Sequence, residues 1–126
     1  TNKKGKENGK WTGYQEITGT FWSNYTNHLK LRGLEFSITM EEAWDIYIKQ
    51  DKKCALSGIS IYMPVRKAEL LASGQYNQAS MDRIDSNKGY TKENVQWVHK
   101  DINLMKQYLN QDYFIEMCKK ITEFNK

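Results

Sequence analysis

The chain predicts an α+β fold, a short β-hairpin followed by a helix, with further helices on its N- and C-terminal sides. Three observations carry this. Apolar residues recur at helical spacing in three separate stretches, around residues 20–32, 40–50 and 110–124. Between the second and third, short runs of strand-forming residues flank the turn-rich sequence DSNKG. Aromatics make up 13% of the chain and apolar residues 39%, gathered in periodic clusters. Such a composition is incompatible with wholesale disorder.

From Thr20 to Arg32, Phe21, Trp22, Tyr25, Leu29 and Arg32 share one helical face, and Gly33 suits a left-handed C-terminal stop. Leu34, Phe36 and Ile38 alternate with polar residues as a short extended piece. Thr39-Met40-Glu41-Glu42 is a capping box, in which Thr39 and Glu42 satisfy orphan amides reciprocally. The helix it opens carries Ala43, Trp44, Tyr47 and Ile48 on one face and ends near Gln50. CALSGISIYM follows as two apolar pieces around Ser57-Gly58, a hairpin pattern. Residues 64–76 form an excursion with one helical turn over Ala68–Ala72, closed by Ser73-Gly74. Strands are expected at 79–84 and 95–98, with a tight turn at 85–89 and a helix over residues 99–109. Asn110 caps a last helix whose Tyr113, Phe114, Met117, Cys118, Ile121 and Phe124 face the core. Trp44 and Trp97 are core residues on the same reading.

A length of 126 residues suits one domain, able to bury roughly two thirds of its unfolded surface. Residues 1–12 read as a basic flexible arm and 13–126 as the domain. Of the net charge of +4, Lys3, Lys4, Lys6 and Lys10 against Glu7 supply +3 within the first ten residues. A basic arm beside a nearly balanced domain suits nonspecific phosphate contact, or equally a solubilising tail. No stretch approaches the roughly 20 apolar residues that span a bilayer, and no signal peptide is visible, so no membrane partner is expected. The chain begins at Thr1 rather than methionine, as a fragment or processed form does. Cys54 and Cys118 are expected as reduced, buried thiols of an intracellular protein. With Ser57 where a CxxC partner would stand, structural zinc is not expected.

The chemistry lies in residues 79–106, ASMDRIDSNKGYTKENVQWVHKDINLMK. Asp82 offers a charged oxygen from a strand end and Asn103 an amide oxygen from the following helix. Hard cations such as Mg²⁺ take oxygen ligands and keep several waters, so two protein ligands suffice when phosphate oxygens complete the shell. Taken alone, an Asp in a turn and an Asn on a helix are usually polar surface. Asn94, before the second strand, is suited to hydrogen-bond the backbone of the loop that carries Asp82 and so fix the ligand's direction.

The whole segment resembles the ββα-metal motif of the HNH endonucleases, above all the phage and mobile-element forms with D-R-I-D…K-G-Y-T…N-V-Q-W-V…I-N-x-M-K. Cys54-Ala55-Leu56-Ser57-Gly58 resembles the C-x-x-[ST]-G opening of that module, so the motif core covers residues 54–106. The resemblance implies a metal-dependent DNA endonuclease that hydrolyses phosphodiester bonds of double-stranded DNA, in the cytoplasm of a bacterial or phage-infected cell. It makes Asp82 and Asn103 ligands of one Mg²⁺ or Mn²⁺ ion, and Asn94 the asparagine that orders the loop. Better-known members carry a basic histidine after the aspartate, where this chain has Arg83. Arginine accepts no proton near neutrality, but its planar fork binds phosphate and stabilises a pentavalent transition state. His99, four residues before Asn103, is then the candidate base, with Asp85 a second. His28 is set aside as distant, in an N-terminal helix. Lys88, Lys100 and Lys106 are expected phosphate contacts, alongside the lysines of the arm. The alternative is a module that kept the scaffold, lost hydrolysis and only binds DNA. Target sequence, strand choice and oligomeric state are not encoded legibly.

Overall fold

The computed structural model describes residues 13–65 and 67–126. The arm, with Lys3, Lys4, Lys6 and Lys10, lies outside the described residues. Among the described residues the architecture is α+β, five helices and one two-stranded antiparallel sheet. In chain order these are α1 (Gly19–Leu31), α2 (Met40–Lys49), α3 (Lys67–Ser73), β1 (Ala79–Arg83), β2 (Val95–His99), α4 (Lys100–Lys106) and α5 (Gln111–Phe124). No described helix is long and apolar enough to cross a membrane.

The local signals explain most boundaries. The Thr18 side chain accepts the amide of Phe21 to start α1, and Gly33, at φ +71°, follows its C-terminal end. The capping box at Thr39 and Glu42 forms in both directions, at 3.1 and 3.0 Å. Asn110 accepts the amide of Tyr113 and opens α5. Helix α4 is shorter than expected, because Gln107 turns to positive φ and the chain leaves helical geometry there. The CALSGISIYM stretch forms no full strand pair. It closes through a single bridge between Lys53 and Ser60, with Cys54 N–H donating to the Ile59 carbonyl.

The core sits between α1, α2 and the inner face of the sheet. Trp97 is fully buried, and its indole N–H donates to the Ala43 carbonyl of α2. Gln50, just past α2, accepts from the Trp97 amide and donates to the Trp97 carbonyl, pairing with β2 as a neighbouring strand does. Trp22, Tyr25, Phe36 and Tyr90 pack edge to face and tilted, tying α1 to the loop between the strands. Trp44 is only half-buried and leans on Tyr47.

Two expectations about burial fail. Of the expected core face of α5 only Phe114 is buried, while Tyr113, Met117, Ile121 and Phe124 are exposed. Periodicity marks an apolar stripe, and nothing in the stripe says whether another element covers it. Cys118, on the same helix, is exposed too, whereas Cys54 is buried. Burial raises the Cys54 thiol, but hydrogen bonds from the Ser57 hydroxyl and from nearby backbone amides outweigh it and leave the pKa lowered.

Candidate functional site

Strand register decides which side chains of the hairpin meet. Asp82 pairs with Gln96 and Ser80 with Val98, so these four share one face. Ala79, Met81, Arg83, Val95, Trp97 and His99 occupy the other. Helix α4 returns along β1, and the Asn103 amide nitrogen donates to Ser80 Oγ (2.7 Å) and to the Met81 carbonyl (3.3 Å). Helix α1 crosses nearby, where the Tyr25 hydroxyl donates to that same Met81 carbonyl at 3.1 Å. Between these elements lies an open cavity of about 380 Å³, whose walls include Tyr25, His28, Arg32, Asp82, Arg83 and Asn103.

Asp82 is only 4% exposed and is held on one oxygen. Its Oδ2 accepts from Lys106 Nζ at 2.5 Å and from Gln96 Nε2 at 2.9 Å. Lys106, 1% exposed, also donates to the Arg83 carbonyl (2.9 Å) and sits 3.4 Å from Gln111 Oε1. Lys106 is therefore a buried counter-ion of Asp82, which corrects its expected role as a surface phosphate contact. Among the described residues, Asp82 Oδ1 and Asn103 Oδ1 accept no hydrogen bond.

Asn94 clasps the loop between the strands. Its Oδ1 accepts the Asp85 amide, and its Nδ2 donates to the carbonyls of Asp85 and Gly89, each at 2.9 Å. Gly89 runs against Glu35, where an added Cβ would lie 2.5 Å from the Glu35 Cβ and 2.8 Å from its carbonyl oxygen. The loop in turn orients Arg83. One guanidinium nitrogen, Nη1, donates to the carbonyls of Ser86 (2.9 Å) and Lys88 (3.0 Å), and the group lies 5.4 Å over the Tyr90 ring. Nε and Nη2 have no partner among the described residues, and they belong to a side chain on the cavity wall. Asp85 spends its Oδ1 on the Asn87 amide, as a turn residue does.

His99 does not reach this cavity. It ends β2 rather than beginning α4, on the face of the sheet opposite Asp82. Its Nδ1 accepts the Asp101 amide as the N-cap of α4, and its Nε2 pairs with Asn77 Oδ1 at 3.0 Å. Both ring nitrogens are engaged, so the expected base is a structural cap. His28, set aside as distant, lies on the wall instead, at the helical spacing that puts Tyr25, Leu29 and Arg32 on the same face. Lys88 lines an adjoining depression that shares Arg83 and Ser86, and Lys100 is exposed at the start of α4 without lining the cavity.

No group of three or more His, Cys, Asp or Glu side chains converges among the described residues, so no all-protein metal cage exists there. One carboxylate and one amide, each with an unengaged oxygen on a shared cavity, instead fit a hard cation that keeps most of its shell as water and substrate oxygens. The ammonium on the other carboxylate oxygen offsets part of the attraction. Comparison of the chain with family models, with curated proteins and with solved structures finds no match.

Proposed function

We propose that the chain is a metal-dependent DNA endonuclease of HNH type, with Asp82 and Asn103 as ligands of one Mg²⁺ or Mn²⁺ ion. The reading rests first on the residue pattern of the 79–106 segment. The observation that carries it is the cavity itself, which collects Asp82, Asn103 and Arg83 with two partnerless ligand oxygens and three basic side chains, His28, Arg32 and Arg83. An anionic phosphodiester finds both complementary charge and room there.

When bound, the divalent ion supplies Lewis acidity and lowers the pKa of a coordinated water. The chain's own residues do the rest. Arg83, braced by two carbonyls and the Tyr90 face, meets a phosphate with its remaining N–H groups already aimed. Preorganisation of this kind carries weight as charge builds on the phosphoryl oxygens. Arg32 adds positive potential from α1. Asn94 keeps the loop, and thereby Arg83 and the end of β1, in place. Lys106 fixes the rotamer of Asp82 and leaves one oxygen toward the cavity wall.

A second reading, a module that binds DNA without cutting it, draws on one specific observation. Asp82 is already neutralised by Lys106, and a neutral pair draws a divalent ion less strongly. Supercoiled plasmid separates the two. Nuclease function predicts nicking or linearisation in Mg²⁺ or Mn²⁺ and none in EDTA. Asn103→Ala, which removes one of the two protein ligands, is expected to abolish metal-dependent cleavage, and Arg83→Ala to lose roughly 10²- to 10³-fold in rate. Asn103 is the better probe, because Asp82→Ala strands the buried Lys106 ammonium at a cost of roughly 3–5 kcal/mol. Salt-sensitive DNA binding with no cleavage in either ion would decide for the binding module.

A further inference from the structure

We infer that His28, on α1, is the proton acceptor in the cavity, taking a proton from the water that attacks phosphorus. The inference rests on the nuclease reading and proceeds by elimination over the titratable groups on the cavity wall. From β1, Asp82 is committed to Lys106 through Oδ2 and supplies its other oxygen to the proposed ion. Arg83, beside it, carries a guanidinium, which donates hydrogen bonds and has no atom to accept a proton. Arg32, next to α1 at its C-terminal end, is excluded on the same ground. Burial, and then Tyr90, push the Tyr25 phenol far above the usual tyrosine range. Tyr90, from the loop, already accepts from the Tyr25 hydroxyl, and Tyr108, after α4, offers only a phenol oxygen, a weak proton acceptor. Imidazole is the one side-chain type on the wall whose unperturbed titration falls at physiological pH.

Geometry agrees. His28 is exposed and makes no hydrogen bond among the described residues, so neither ring nitrogen is committed, in contrast to His99. Tyr25, three residues earlier on α1, anchors the helix to the Met81 carbonyl, one residue before Asp82. His28 thus stands on a fixed wall, one helical turn from the anchor and one turn from Arg32. The water oxygen bonds to phosphorus, its proton passes to an imidazole nitrogen of His28, and the phosphorus bond to the leaving sugar oxygen breaks. The leaving alkoxide takes a proton from solvent, and His28 returns its own to solvent afterwards.

The test compares wild type with His28→Gln and His28→Ala on supercoiled DNA across pH, in Mg²⁺ and in Mn²⁺. His28 is a surface residue, so both variants are expected to keep the wild-type melting temperature. Each should cut roughly 10²- to 10⁴-fold more slowly near neutrality. Wild-type kcat/KM should rise with pH along a limb at the same position in both metals, because a metal-bound water would move that limb with the ion. The variants should lack it, and free imidazole should partly restore His28→Ala. In EDTA, where no strand is cut, adding a short DNA duplex should shift the His28 ring resonances in NMR spectra. Variants that keep the rate and the limb overturn the role of His28 while leaving the nuclease reading intact. So does a rate loss matched by an equal loss of duplex affinity with the limb retained. A wild type that binds duplex and cuts in neither metal overturns both.

Discussion

Lys106 shows how one side chain changes the meaning of its neighbour. Removed from water to 1% exposure, its ammonium spends its donors on Asp82, on the Arg83 carbonyl and on Gln111. A pair this deep is costly to break, because the survivor stays buried and charged. Lys106→Met is therefore expected to lose roughly 3–5 kcal/mol in EDTA. If a divalent ion seats on Asp82, it then supplies the missing charge. Binding only to the folded state restores about 2.7 kcal/mol at a hundred times Kd. A thermal scan should show Mn²⁺ raising the melting temperature of Lys106→Met more than that of wild type. Equal shifts in the two proteins would show that Lys106 does not compete for the site. Nothing in the sequence around Lys106 marks it as buried, since its partner Asp82 stands 24 residues away. A lysine in the last turn of a short helix reads as solvated until the hairpin brings the carboxylate over it.

At the scale of elements, the hairpin and its loop were the most legible part of the chain. Strand-forming runs on either side of DSNKG mark both strands to within a residue, and an asparagine at position 94 is legible as a loop brace, a role its three bonds fill. Local chemistry explains that success, because caps, turns and short hairpins are built from neighbours in sequence. Asn94→Ala removes three hydrogen bonds at once, at about 1 kcal/mol each, and should cost about 3 kcal/mol in urea unfolding. On the proposed nuclease reading it should also slow cleavage, since Arg83 is held by carbonyls of the same loop. A loss under about 1 kcal/mol would mean that other contacts hold the loop. Helix α5 marks the opposite case. Its existence and N-cap are readable, but its stripe points to a core that only Phe114 reaches. His99 failed for a related reason. Ending a strand or beginning a helix differs by one residue, and that one residue turned its ring to the opposite face and made it a cap.

For the molecule as a whole, the cavity exists because α1 packs across the sheet end, its Tyr25 bonded to Met81 of β1 across 56 residues of sequence. That long-range placement is what local sequence signals leave out, and it is why His28 and Arg32 were not grouped with Asp82. Two hydrogen-bonded phenols, Tyr25 on α1 and Tyr47 on α2, make the stability of the fold depend on pH. Burial pushes the Tyr47 hydroxyl, which donates to the Ile61 carbonyl, up to about 12. Tyr25 is shifted in the same direction, first by burial and then by Tyr90. In the unfolded chain both ionise near 10. Below that pH both states keep the phenolic protons, and the contribution is fully present. As pH rises past 10 the unfolded chain loses protons that the folded chain retains, so stability falls, by up to about 1.4 kcal/mol per pH unit for each phenol. For Tyr47 the loss levels off once pH passes about 12. Urea midpoints should therefore decline steeply from pH 10 upward. Tyr47→Phe should start lower, having left the Ile61 carbonyl unpaired at roughly 1–3 kcal/mol, yet decline less steeply over pH 10 to 12. It is the slope that tests the linkage. Parallel curves for wild type and Tyr47→Phe would mean that Tyr47 ionises alike in both states, and that burial of its ring does not govern the proton.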